Sequence, residues 1–262
     1  MSLENKNAII YGAGGSIGGA VARTFARRGA RVFLTGRTPE SLEKVAGEIT
    51  AAGGRAEVAV VDALDEKAVE AHAQAVADQA GSLDVSINLV TRGDVQGTPL
   101  TDMTTADFLR PVVTGLTTNF VTARTAARHM AAQGSGVILT LNSGSAQASP
   151  MMGGTGPADA TMDTLVRNLA IEMGPRGVRV VGIWTAGLPE TLSREKLAAV
   201  NPGLALDEAA FQGLLAQLDQ MRMLRRSPTL SQIAGTAAFL ASEDAGAITG
   251  TFVNATGGIF PG

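Results

Sequence analysis

Apolar and polar positions along the chain fall into two alternating rhythms. Short runs such as "RVFLT", "AEVAVV" and "GVILTL" are apolar throughout, the pattern of strands covered on both faces. Between them lie longer stretches with helical spacing. The runs predict strands over 7–11, 31–35, 56–61, 84–89, 136–141, 178–184 and 251–254. They predict helices over 16–28, 39–52, 65–80, 104–132, 158–174, 206–223 and 229–242. Strand and helix taking turns this regularly imply an α/β fold, a doubly wound parallel sheet with helices on both faces. No low-complexity linker or internal repeat divides the chain, so 1–262 reads as a single domain. The segment 188–228 breaks the rhythm with two short amphipathic helices split by Asn201-Pro202-Gly203. An insertion late in such a sheet is placed to cover a ligand crevice as a substrate lid. A purely structural flap is the other reading.

Composition narrows the function classes. A chain of 262 residues that is 45% hydrophobic fills a sizeable core, with Ala, Val, Leu and Ile doing most of the packing because aromatics are only 4%. A net charge of −3 is too mild to draw nucleic acid or an anionic membrane. The absence of Cys excludes disulfides, thiolate metal sites and a Cys nucleophile. His72 and His129 are far apart in sequence, which leaves little for a zinc site or a Ser-His-Asp triad, and His129 reads as structural. The N-terminus has no basic segment followed by a long apolar run, and no apolar stretch reaches the roughly 18 residues of a membrane helix. A soluble, cytoplasmic protein without a metal is expected.

The first strand runs into "YGAGGSIGG", which sets Gly12, Gly14, Gly15 and Gly18 between a strand and an amphipathic helix. Such a turn brings backbone N–H groups to a phosphate at a helix N-terminus, where the partial positive charge favours an anion. Dinucleotide binding by a Rossmann-type sheet is one reading, and a merely tight turn the other. After the second strand, where a carboxylate normally meets the adenosine ribose, stand Gly36 and Arg37, which favours NADP(H) over NAD(H). The alternative is that Arg37 is a solvated surface charge. Asp62 ends the third strand in position to meet an adenine amine, and Asn88 ends the fourth beside the crevice.

With these features the chain resembles the short-chain dehydrogenase/reductase family over nearly its full length. The family's T-G-x-x-x-G-x-G reads Tyr11-Gly12-Ala13-Gly14-Gly15-Ser16-Ile17-Gly18, so Ser16 and Ile17 join the glycines as expected cofactor contacts. Its N-N-A-G reads Asn88-Leu89-Val90-Thr91, and "ITGTFVNATGG" resembles its C-terminal strand region. "WTAGLPET" corresponds to the loop beside the nicotinamide, with Thr191 matching a frequent cofactor contact. The resemblance implies hydride transfer between a nicotinamide and a carbonyl or alcohol. In the family a Tyr moves the hydroxyl proton, a Lys lowers its pKa, a Ser polarises the oxygen and an Asn anchors a water relay.

Only the Ser is retained, as Ser143 in "ILTLNSGSA". The Lys position falls on Asp159, the Tyr position on Thr155 and the Asn position on Gly115. The sole Tyr, Tyr11, lies in the glycine turn, so the atypical site has no Tyr-x-x-x-Lys pair. The two replacements agree physically, because an Asp would raise the phenol's pKa that a Lys depresses. Pro111 and Gly115 predict a kinked fourth helix, which argues against a standard relay.

Asp159 is the leading replacement acid or base, or else a carboxylate that merely favours a helix N-terminus. Thr155 is expected to orient a substrate, Asp163 to be a solvated or interface carboxylate, and Arg92 to be a solvated surface charge or else to bind an acidic substrate. Met151, Met152, Met162, Trp184, Leu188, Met221 and Met223 either line an apolar pocket or pack plainly. Three functions remain open. One is an NADP(H)-linked oxidoreductase of atypical mechanism on a small, fairly apolar carbonyl, enone or imine. The others are a non-redox isomerase, cyclase or lyase, and a non-catalytic dinucleotide-binding protein. Family habit and the small residues Ala123, Ala126, Ala127, Ala170 and Gly174 suggest a homo-oligomer, a tetramer or dimer.

Overall fold

The computed structural model describes residues 2–201 and 203–259; Pro202 of the expected helix break lies outside them. Seven parallel strands form one sheet: β1 (Asn7–Tyr11), β2 (Arg31–Gly36), β3 (Arg55–Val60), β4 (Val85–Asn88), β5 (Gly136–Asn142), β6 (Val178–Trp184) and β7 (Thr251–Asn254). Their order is β3-β2-β1-β4-β5-β6-β7, so the winding reverses between β1 and β4. The helices are α1 (Ser16–Arg27), α2 (Pro39–Ala51), α3 (Glu66–Ala80), α4 (Thr105–Gln133), α5 (Thr155–Met173), α6 (Arg194–Val200), α7 (Glu208–Gln220) and α8 (Leu230–Ala241).

Strand alternation builds the two layers. In β1, Ala8 and Ile10 point to one face while Ile9 and Tyr11 point to the other, as the two-residue side-chain period requires. The first face packs on Val21 and Phe25 of α1, Leu42 and Val45 of α2, and Ala237 and Leu240 of α8. The second packs on Val69 of α3, Val121 and Met130 of α4, and Val166 of α5. Burying apolar area at about 25 cal/mol per Å² on both faces makes this sheet the core of the molecule.

Several expectations are corrected. The apolar run at 56–61 is not covered on both faces: β3 is an edge strand, and Val60 is 60% exposed. Thr155 does not sit in a loop but opens α5, because Pro157 in a first turn has no helical N–H partner to lose. α4 runs without interruption across both Pro111 and Gly115, so whatever bend they impose does not break the helix. Ala126 and Ala170 pack within the chain's own core, while Ala123 and Ala127, buried to over nine-tenths, also line a surface groove between α4 and α5.

The inserted segment forms α6 and α7, and Arg222 just beyond them is almost fully buried. Its guanidinium donates to the carbonyls of Thr256 (2.9 Å), Gly187 (3.0 Å), Ala186 and Leu218. One side chain thereby ties the end of α7 to the loops that follow β6 and β7.

Candidate active site

A crevice of about 340 Å³ opens at the carboxyl ends of β1 to β4, where the strand order reverses. That is where an open α/β sheet leaves room for a ligand. Gly12, Gly14 and Gly15 form its floor, Arg37 and Ser41 one rim, Asp62 another, and Thr114 and Thr118 of α4 its inner end. Gly12 has φ +77°, and a Cβ there would lie 2.6 Å from the Leu89 carbonyl oxygen, so the turn needs glycine for conformation and for space. The N-terminus of α1 has no side-chain cap and no acidic residue in its first turn, which leaves its N–H groups to an anion. The residues present fit a dinucleotide.

The sequence-predicted binding residues divide. Gly12, Gly14, Gly15, Arg37 and Asp62 line the crevice, and Arg37 is exposed and without an ion pair among the described residues. Ser16, Ile17 and Gly18 begin α1 directly behind the turn. Asn88 is buried and turned inward: its amide donates to Thr122 Oγ1 (3.1 Å) and its Oδ1 accepts from the Val90 N–H (2.9 Å). Thr191 is set apart, its hydroxyl donating to the Leu188 carbonyl at 2.8 Å. Lys196 of α6 reaches between these parts, with Nζ 3.1 Å from the Thr191 carbonyl and 3.5 Å from Ser16 Oγ.

Beyond the inner end lies a compact polar network. Asp159, with no exposed surface, accepts from the Ser143 hydroxyl (2.6 Å), the Ser145 N–H (2.8 Å) and the Ser143 N–H (3.1 Å) on Oδ2. Its Oδ1 accepts from Arg92 at 2.6 Å. Oδ2 thus takes three donors and Oδ1 one, which leaves Oδ1 room for a further donor. Arg92 also donates to Asp94 (3.1 Å), which accepts from Thr155 Oγ1 at 2.8 Å. Burial opposes the charge on Arg92, but the Asp94 and Asp159 carboxylates outweigh it and hold the guanidinium above its ordinary range. Sequence reasoning therefore misjudged Arg92 as solvated. The spare charge of Asp159 in a helix facing the sheet was the signal that a cation had to come from elsewhere.

Asp163 is likewise buried rather than solvated, and takes a hydrogen bond from Asn142 Nδ2 at 3.1 Å. Burial pushes its carboxyl above the usual range against that hydrogen bond and the Arg167 charge. Tyr11 is no substitute acid, since burial pushes its phenol up from 10.0. Of the predicted apolar lining, Met162, Trp184 and Leu188 are core, while Met151, Met221 and Met223 are exposed; none lines the crevice. The glycines before α5 are closely packed. A Cβ at Gly154 would lie 1.9 Å from the Phe108 carbonyl oxygen, so that turn is pressed against α4.

A family model described as enoyl-(acyl carrier protein) reductase matches residues 12–259, from the glycine turn to past the last strand. The chain belongs to the short-chain dehydrogenase/reductase family. A curated member of it, the 7α-hydroxysteroid dehydrogenase of Escherichia coli, is 31% identical over 98% of this chain and 95% of its own. The L-rhamnose 1-dehydrogenase (NAD(P)+) of Azotobacter vinelandii is 30% identical over 99% of this chain and 98% of its own. A solved 7α-hydroxysteroid dehydrogenase complexed with NADH and 7-oxo glycochenodeoxycholic acid superposes with a TM-score of 0.83 at 29% identity, covering 98% of this chain and 95% of that one. Dehydrogenases of this family bind a nicotinamide cofactor and act on small molecules. No described helix is long and apolar enough to cross a membrane, and no group of three or more His, Asp or Glu among the described residues is arranged to hold a metal.

Proposed function

We propose that this short-chain dehydrogenase/reductase is an NADP(H)-linked oxidoreductase that acts on a small, fairly apolar carbonyl, enone or imine without a Tyr/Lys proton donor. The observation that carries this reading is Arg37, exposed and unpaired at the rim of a crevice floored by the glycine turn. A guanidinium there favours a 2′-phosphate, which a carboxylate would repel. The turn over Gly12–Gly18 and the α1 N-terminus hold the pyrophosphate, Asp62 meets the adenine, and Asn88 shapes the inner wall through Thr122. When bound, the cofactor supplies or accepts the hydride. Ser143 is the half-buried side chain that meets the substrate oxygen or nitrogen. Asp159 and Thr155 hold that end of the site rather than exchange protons, because Asp159 is buried and accepts four hydrogen bonds, one of them from the Arg92 guanidinium, and Thr155 is committed to Asp94. Thr191, Lys196 and the α6–α7 segment form the lid, and the protein works as a soluble, cytoplasmic homotetramer.

The engagement of Asp159 in a buried ion pair and three further hydrogen bonds supports a second reading, a non-catalytic dinucleotide-binding protein. The same feature speaks against a non-redox enzyme that uses Asp159 as its acid or base. A fluorescence titration with NADPH and NADH separates the elements of the proposal. NADPH is expected to bind at least about tenfold more tightly, one such factor being 1.4 kcal/mol. Equal affinity overturns the role of Arg37, and binding of neither overturns the cofactor assignment. A panel of carbonyls, enones and imines should then oxidise NADPH above the no-protein control. A flat trace with intact binding favours the non-catalytic reading.

A further inference from the structure

Arg92 links the loop that lines the cofactor crevice to the Ser143 network. The three residues before it, Leu89 to Thr91, line the crevice, and so do Thr114 and Thr118 on either side of Gly115 in α4. Gly115 has no side chain, and a Cβ there would stand 2.6 Å from Arg92 Cδ and 3.1 Å from Cγ. The aliphatic stem of Arg92 thus lies across a slot that glycine leaves open in the middle of a helix, a position where Gly is about 1 kcal/mol worse than Ala. From that slot the guanidinium spans two elements, bonding Asp159 on α5 at 2.6 Å and Asp94 on its own loop at 3.1 Å. Neutralising the buried Asp159 would need only the first of these contacts and no slot. The second contact continues to Thr155, so the start of α5 and the loop after β4 are both fixed by one cation.

We infer that Arg92 is the positioning residue for the nicotinamide end of the cofactor: admitted by Gly115 and clamped by Asp159 and Asp94, it builds the inner end of the crevice. The inference rests on the nicotinamide-cofactor reading above. It assigns to the loop after β4 a cation in the region where the family resemblance would have put a lysine on α5. Gly115 is then the residue that makes the relocation sterically possible, and Asp159 the one that makes it electrostatically stable.

The test compares binding of NADPH with binding of the same dinucleotide lacking the nicotinamide ring, using the full-length protein. Gly115→Ala displaces the Arg92 stem without altering any charge. The double variant Arg92→Met/Asp159→Asn removes both charges of the Arg92–Asp159 pair together, so Asp159 leaves no buried charge, while Asp94, which is partly exposed, keeps its hydrogen bond from Thr155. Both are expected to weaken NADPH by about tenfold while changing the ring-less ligand by less than about twofold, with the melting temperature of the double variant close to that of the wild type. Unchanged NADPH affinity in both variants, or parallel weakening of the two ligands, overturns the inference. A wild-type protein that binds neither ligand would instead bring down the cofactor reading, and this inference with it.

Discussion

At Asp159 four donors meet one carboxylate, so any substitution there acts first on charge balance and packing. Asp159→Asn deprives Arg92 of one of its two partners and turns an acceptor-only group into one that must place two N–H donors beside Ser143 and Ser145. Breaking a buried ion pair from one side costs about 3–5 kcal/mol, and a loss in that range is expected in urea denaturation. A loss below about 1 kcal/mol would mean that the pair behaves like a solvated one. The importance of this position was legible in the sequence, because alignment of the α5 region puts Asp159 and Thr155 where the resemblance requires Lys and Tyr. Their partners were not. Arg92 is 67 residues from Asp159, and nothing in local spacing says which distant cation pairs with a buried carboxylate. Asp163 was misread as solvated for a related reason: its partner Asn142 comes from a strand, not from its own helix.

Among the elements, the seven strands were readable almost to the residue, since each is a short apolar run ended by Gly or a polar cluster. What the runs did not reveal is which strand sits at an edge, because β3 is as apolar as its neighbours and only the strand order decides. The start of α5 was missed because "GGTGPAD" carries loop residues. Pro157 and the glycine turn nevertheless suit a helix that must begin pressed against α4. The α6–α7 segment was visible as two amphipathic pieces, but its attachment was not. Arg222 supplies it, through four backbone carbonyls on three parts of the chain. Arg222→Leu strips those acceptors of a charged donor at roughly 1–3 kcal/mol for each carbonyl left dry. Faster proteolysis within 188–228 is expected, with the rest of the fold still resistant. Cleavage at the wild-type rate would show that the segment is held by other contacts.

For the molecule as a whole, the exposed side of α4 and α5 is where a second copy is expected to dock. Phe120 is 45% and Ile171 75% exposed there, and the Arg124 guanidinium lies 5.0 Å from the Phe120 ring. Phe120→Glu places a carboxylate on this apolar surface. Sedimentation velocity should then show a shift from the proposed tetramer to smaller species, and an unchanged profile would remove this face from the assembly. The fold itself was legible because alternation, apolar runs and the glycine turn all agree, as they do wherever many local choices point to one architecture. The slot at Gly115 also couples three positions, 92, 115 and 159, so that none changes freely alone. A side chain at 115 collides with Arg92, and a lysine at 159 would face the same guanidinium with like charge. Each single step back toward the family's usual site is therefore harmful while Arg92 stays. Removing Arg92 first strands the carboxylate of Asp159. Single substitutions can refine the present arrangement, whereas the family's usual side chains fit here only when several positions change at once.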